Sequence, residues 1–325
     1  MDFLALALFP VLLGLIFIGF PVAFSMMGTA LIFGWITFKG AFIFQVVEKI
    51  EDVATNFVLA AVVLFVFMGT MLERSGIAER LFEAVHLWTR RLPGGLALGT
   101  IVMCVIFAAS TGVIGATETV VGLLAIPVML KYAYDKALIS GTICAGGSLG
   151  TIIPPSVVVV VLGPLADVPV GDLMAGMVFP GLILAGLYIV YILGLCLLRP
   201  GAGPVVPPSP DDPPLAERLR ITAGALIPPM LMILAVLGSI MAGLAAPTEA
   251  AALGAAGSVL LTALYGRFSW RALHDAVMKT LRITSMIMTI IVAGSILTGV
   301  FVAAGGVALT QQLVASLNLG PWGVL

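Results

Sequence analysis

Apolar runs dominate the chain, and the residues that interrupt them predict its elements. Phe3 to Phe38 is too long for one upright helix, and Gly19-Phe20-Pro21 divides it into segments 3–18 and 21–38. Residues 39–53, carrying Lys39, Glu48, Lys49, Glu51 and Asp52, read as a loop, and Ala54 to Leu72 as a span. Over 77–92, Ile77, Leu81, Val85, Trp88 and Leu92 share a face, with Glu79, Arg80, Glu83, Arg90 and Arg91 elsewhere. That is the pattern of an arm lying in the membrane interface. Segments 172–198, 219–243, 247–266 and 283–302 are apolar enough to cross a bilayer. Residues 270–281 form a second amphipathic helix with Ser269 as its N-cap, and 307–317 a third, uncharged one. Residues 201–218, including Pro207-Pro208-Ser209-Pro210-Asp211-Asp212-Pro213-Pro214, form a polar linker on the cytoplasmic side.

Two stretches break this rhythm. Residues 94–131 are two apolar limbs around Ser110-Thr111-Gly112-Val113-Ile114-Gly115-Ala116-Thr117-Glu118-Thr119. Each limb is roughly 11 to 17 residues, short of the ~20 that cross a bilayer, so the pair reads as a re-entrant hairpin. Residues 138–162 are long enough to span but contain Gly146-Gly147-Ser148-Leu149-Gly150-Thr151-Ile152-Ile153-Pro154-Pro155-Ser156. Two prolines remove two backbone donors, and Pro155 biases Pro154 away from helix. Irregular backbone at membrane depth survives only where protein buries it or where it lines a wet cavity. A hairpin tip beside a broken helix is how many secondary transporters build a midplane site.

The order of elements also repeats. Pro21 to Gly28 matches Pro247 to Gly254, Ser75-Gly76-Ile77-Ala78 matches Gly305-Gly306-Val307-Ala308, and Leu92-Pro93-Gly94-Gly95 resembles Gly320-Pro321-Trp322-Gly323. The predicted architecture is therefore an all-α polytopic membrane protein, an inverted-repeat secondary transporter with a re-entrant hairpin and a broken helix. Its first repeat covers 1–200: scaffold helices within 3–72, arm 77–92, hairpin 94–131, broken helix 138–162 and helix 172–198. Its second, 219–325, stops where the first begins its hairpin, so the second repeat is expected to be incomplete. Charge sets the orientation. With the N-terminus periplasmic, the loops around 73–93, 131–137, 199–220 and 267–282 are cytoplasmic and hold 13 of the 15 Lys and Arg residues, as the positive-inside tendency requires.

Composition narrows the class. The chain is 61% hydrophobic and 10% charged, which excludes an ordinary soluble enzyme. A net charge of −1 gives nucleic acid nothing to bind. Cys104, Cys144 and Cys196 are isolated, with no CxxC or Cys/His cluster, so neither a zinc nor an iron–sulfur site nor any other resident cofactor is expected. No Ser/His or paired-acid constellation points to catalysis. His86 and His274 fall on interfacial helices. Glu118 and Glu249 are the acids within apolar segments, where ionisable groups invite a functional reading. Glu249, two residues after Pro247, reads first as a helix cap. Glu118 reads either as a similar cap on the hairpin's second limb or as a coupling acid.

The chain resembles the large permease subunit (DctM-like) of TRAP transporters, the tripartite periplasmic carriers of organic acids. The resemblance is carried by Leu72-Glu73-Arg74-Ser75-Gly76-Ile77-Ala78-Glu79-Arg80-Leu81, by Leu92-Pro93-Gly94-Gly95, by Gly141 to Ser156 and by Pro247-Thr248-Glu249-Ala250-Ala251-Ala252-Leu253-Gly254. Ser110-Thr111-Gly112-Val113 stands where the family commonly has a Ser-Gly-Ser-Ser tip. The resemblance implies a multi-pass protein of the bacterial inner membrane that takes up an organic acid, C4-dicarboxylate-like, with sodium as coupling ion. It also implies two partners, a small four-helix membrane subunit (DctQ-like) and a periplasmic substrate-binding protein (DctP-like), and an elevator-like motion of the hairpin unit.

Sodium wants oxygen ligands, which a helix break supplies as carbonyls and hydroxyls without a buried carboxylate. The site candidates are Ser110, Thr111, Gly112, Gly115 and Thr117 at the tip, facing Gly147, Ser148, Gly150, Thr151, Pro154, Pro155 and Ser156 at the break. Sodium is expected at Ser110, Gly112, Gly147 and Thr151. No Lys or Arg lies mid-membrane, so a substrate carboxylate would meet helix N-terminal amides, hydroxyls such as Ser156 and the bound sodium. The competing reading of these small residues is helix packing. A stand-alone sodium/dicarboxylate symporter of similar architecture, or a non-transporting membrane scaffold, are the alternative functions.

Overall fold

The structure, a computed structural model, describes residues 2–112, 114–207 and 213–316. Val113 at the hairpin tip, residues 208–212 of the linker and the Gly320-Pro321-Trp322-Gly323 match lie outside them. Every regular element among the described residues is helical. Five helices are long and apolar enough to cross a membrane, or up to seven if each of two bent pairs counts as one span. The protein is a polytopic all-α membrane protein that folds as two compact units, residues 1–56 with 282–325, and residues 57–281.

The first unit opens with α1 (Asp2–Ile18) and α2 (Val22–Phe38). They part at Gly19, whose φ of +106° lets the chain turn ahead of Pro21. The stretch expected to be a loop is instead α3, Phe42–Thr55, after a short 3-10 turn at Lys39–Ala41. Phe42, Val46, Ile50 and Val53 recur at steps of four, four and three residues around the charges of 48–52, so the segment is amphipathic rather than unstructured.

The second unit holds the hairpin. The expected span over 54–72 is interrupted at Asn56, and α4 runs Ala60–Glu73 after a 3-10 turn at Phe57–Leu59. At Ser75-Gly76 the chain bends 63° into α5, Ile77–Thr89. Ser75 fixes the bend: its hydroxyl donates to the Leu72 carbonyl at 2.6 Å and accepts from the Ile77 N–H at 3.2 Å. Next come α6 (Gly95–Thr111) and α7 (Ile114–Lys131), then α8 (Lys136–Ile152) and α9 (Val157–Ala166), bent 43° at the two prolines. The long helices α10 (Val170–Leu198) and α11 (Leu215–Met241) precede α12 (Pro247–Leu264), which packs along α4 with Gly254 against Met68.

The arm expected at 270–281 and the span at 283–302 are one helix, α13 (Trp270–Ala303). Ser269 accepts from the Ala272 N–H at 3.0 Å and starts it. No proline or glycine occurs between 270 and 293 to stop it; only the charge ends, at Arg282. Its later half and α14 (Gly306–Ser316) complete the first unit, where Ile296, Leu297 and Val300 pack with Leu8, Ala30, Phe33 and Phe42.

The start of the linker is fastened to the base of the hairpin. The Gly94 N–H donates to the Gly203 carbonyl at 2.9 Å, Asp135 N–H to Ala202 at 3.0 Å, and Val206 N–H to Arg90 at 3.1 Å. Beside them the Tyr134 hydroxyl accepts from the Leu96 N–H at 3.1 Å, and burial pushes its phenol up to about 12.

Candidate functional site

α6 is buried along almost all of its 17 residues, so the hairpin's first limb is surrounded by protein. At ~1.5 Å per residue such a helix falls short of the ~30 Å hydrocarbon core. It ends at Gly112, whose φ of +63° is left-handed. A Cβ there would lie 2.6 Å from the Pro155 carbonyl oxygen, so only glycine lets the tip rest on the broken helix. Across the tip, the Thr111 and Thr117 hydroxyls lie 3.1 Å apart, both buried. Gly69 of α4 supports this turn from outside the hairpin: a Cβ on it would come within 2.5 Å of the Thr111 carbonyl oxygen.

The break runs through Ile153, extended at φ −84° and ψ 120°, then the cis Pro154–Pro155 bond, then Ser156, extended at φ −116° and ψ 127°. Tip and break thus bring four helix ends toward one another. α6 and α8 arrive with their C-termini, whose free carbonyls favour a cation. α7 and α9 leave with their N-termini, whose free amides favour an anion. Ser156 precedes α9, is 0% exposed, and its hydroxyl has no hydrogen-bond partner among the described residues. A buried polar group in that state costs about 1–3 kcal/mol unless something else satisfies it.

The other candidates are differently placed. Ser110 donates back to the Ile106 carbonyl at 2.8 Å and Thr151 to the Ser148 carbonyl at 2.9 Å, so both hydroxyls bond their own helices. Ser148 donates to the Ala145 carbonyl at 2.7 Å and lies 3.5 Å from the Tyr188 hydroxyl of α10. Gly115 is exposed with open space beside it, and Gly150 is buried. Gly147 meets Glu118: a Cβ on the glycine would overlap the glutamate side chain. Because α7 begins at Ile114, Glu118 lies beyond the first turn and does not cap it. Glu249 does cap its helix, accepting from the Ala246 N–H at 2.9 Å. Among the described residues no group of three or more His, Cys, Asp or Glu could hold a metal ion.

Gly69 and Tyr188 were missed in the sequence. Each carries a faint signal, the single glycine of α4 and one of two tyrosines in a largely apolar α10, which becomes informative only once the helices are placed.

Residues 9–325 match the family described as Tripartite ATP-independent periplasmic transporter, DctM component. The chain belongs to that family. Its members are transporter components rather than enzymes. The C4-dicarboxylate TRAP transporter large permease protein DctM of Pseudomonas aeruginosa is 30% identical over 275 residues, 84% of this chain and 63% of that protein. Its namesake in Vibrio cholerae is 28% identical over 250 residues, 76% of this chain and 53% of that protein. The ectoine/5-hydroxyectoine TRAP transporter large permease protein UehC of Ruegeria pomeroyi is 27% identical over 331 residues, 99% of this chain and 74% of that protein. The chain therefore spans less than two thirds of the length of the two C4-dicarboxylate relatives.

Proposed function

We propose that the junction of the hairpin tip with the broken helix binds sodium and the carboxylate of an organic acid, in the large permease of a tripartite uptake system. The observation that carries this reading is the buried, unpartnered Ser156 hydroxyl at the point where Gly112 rests on Pro155. Sodium would take carbonyl and hydroxyl oxygens at the ends of α6 and α8, around Ser110, Gly112, Gly147 and Thr151. The carboxylate would take the first amides of α9 with Ser156, and those of α7 with Thr117. Glu118, against Gly147, is placed to sense occupancy of the same junction as a coupling acid.

The protein sits in the inner membrane with its N-terminus periplasmic, an orientation supported by the bias of Lys and Arg toward one set of loops. A periplasmic binding protein delivers the substrate, and a small four-helix subunit accompanies the permease. Relatives named for C4-dicarboxylates, ectoine and sialic acid support an acid-bearing organic solute and leave its skeleton to the binding protein. The test is uptake by the permease reconstituted with its small subunit and binding protein under an imposed sodium gradient. Ser156→Ala and Thr117→Ala should each lower uptake about tenfold, the value of one hydrogen bond to a charged group. Unchanged uptake and sodium dependence in both variants would remove the site. Uptake that needs no binding protein would instead favour a stand-alone symporter.

A further inference from the structure

A second polar feature lies away from the hairpin tip. α5 and α11 pack together, and the Trp88 indole N–H donates to the Thr222 hydroxyl at 2.8 Å to fix their contact. Beside it opens a cleft of about 400 Å³ lined by Arg80 and Glu83 of α5 and by Glu217 and Arg220 of α11, with Gly224 in its wall. Each helix contributes one cation and one anion three residues apart. Among the described residues, none of the four forms an ion pair. All four are exposed, so their charged ends are open to the cleft. Arg80 is pre-oriented: its guanidinium lies 4.3 Å from the centre of the Tyr265 ring, and the Tyr265 hydroxyl donates to the Gly224 carbonyl at 3.3 Å. A Cβ added to Gly224 would meet nothing within 4 Å, so the space beside it is open.

We propose that this cleft seats the headgroup of a zwitterionic phospholipid with a primary ammonium, of the phosphatidylethanolamine type. Arg80 and Arg220 suit the phosphate, since guanidinium donors pair with phosphate oxygens in a fork. Glu83 and Glu217 suit an ammonium that donates hydrogen bonds. The lining sums to zero charge, which matches a zwitterion. It disfavours a free phosphate, which would face the two glutamates, and a glycerol headgroup, which brings no cation. The acyl chains have a path. Arg220, Ile227, Leu231 and Leu234 follow one another at steps of seven, four and three residues, one face of a helix. Ile227, Leu231 and Leu234 are 53%, 62% and 62% exposed. A charged cleft opening onto an exposed apolar stripe, beside an amphipathic arm, is the profile of a phospholipid at the bilayer interface.

The experiment is native mass spectrometry of the detergent-purified, delipidated permease, titrated separately with dioleoylphosphatidylethanolamine, dioleoylphosphatidylglycerol and inorganic phosphate. The ethanolamine lipid should bind about tenfold more tightly than the glycerol lipid, one charge-assisted contact's worth, with inorganic phosphate not competing. Arg220→Gln should weaken both lipids by about tenfold. The double variant Glu83→Gln with Glu217→Gln should erase the preference for ethanolamine while leaving the glycerol lipid bound. All three side chains are exposed, and an unchanged melting temperature would show that the variants remain folded. Equal binding of the two lipids to the parent protein, full retention of the ethanolamine lipid by Arg220→Gln, or displacement by inorganic phosphate would each overturn the proposal. So would occupation of the cleft by a segment of the small subunit, with lipid excluded.

Discussion

Two pairs of threonines meet inside the second unit, and their surroundings differ. Thr70 of α4 and Thr280 of α13 place their hydroxyl oxygens 2.9 Å apart. Thr280 also bonds the Ala276 carbonyl at 2.8 Å, and the charged neighbours are paired: Lys279 donates to both Glu73 oxygens at 2.6 and 2.9 Å, and Arg74 reaches Asp275 at 3.2 Å. Thr111 and Thr117 meet in the same way at 3.1 Å, but near them Ser156 has no partner among the described residues and Glu118 rests against a glycine. The first cluster is closed and serves as a seam. The second is left incomplete among four converging helix ends. A satisfied polar cluster rigidifies a fold, whereas an unsatisfied one retains capacity for a ligand.

The sharpest way to break this comparison is to change the tip and the seam separately. Gly112→Val puts a β-branched side chain at a left-handed φ and into the Pro155 carbonyl, lifting the tip off the break. Displacement of about 1 Å at a reacting site costs on the order of a hundredfold, so sodium-driven uptake should fall by about that much. Lys279→Ala should do the opposite. Glu73 and Lys279 are only partly shielded from solvent, so the variant should lower unfolding stability in mixed micelles by about 1 kcal/mol. The apparent sodium affinity should stay as in the parent. If Lys279→Ala changed sodium affinity as much as Gly112→Val, the division between seam and site would fail.

A smaller effect concerns pH. Burial, and then the neighbouring positive charge of Arg90, lower the His86 imidazole from 6.5 to about 4. The folded arm therefore favours neutral histidine. The stability this contributes is fully present above pH 6.5 and is lost as pH falls toward 4, because the unfolded chain takes up the proton first. Thermal melts should show stability declining through that window in the parent and declining less in His86→Gln. A pH dependence of uptake that survives His86→Gln belongs to the tip. One that disappears with the histidine would tie transport to the arm.

Much of this was legible in the sequence because glycine and proline act locally. Gly19-Phe20-Pro21, Ser75-Gly76 and Pro154-Pro155 each end a helix where the pattern says they should, since backbone geometry at those residues hardly depends on the rest of the fold. Helices held by spacing alone were harder. α3 hides its apolar face among four charged residues, and α13 changes from charged to apolar at Arg282 without any backbone signal. The candidate site was legible as a region but not as a set of contacts. Which hydroxyls bond their own helix, as in Ser110 and Thr151, and which is left over, as in Ser156, depends on rotamers and neighbours that spacing does not encode. Gly69 and Tyr188 belong to helices distant in sequence, and their roles follow from packing.

The three backbone bonds that fasten residues 202–206 to the hairpin base set the length of a leash. Measured from the end of α10, the connection to α11 would be 17 residues, from Leu198 to Leu215, a reach of roughly 60 Å fully extended. Measured from Val206, the furthest along of these three anchored residues, it is nine residues and roughly 30 Å. While those bonds hold, any travel of the hairpin past α11 is capped by the shorter figure, and a longer stroke would have to peel the chain off Arg90 first.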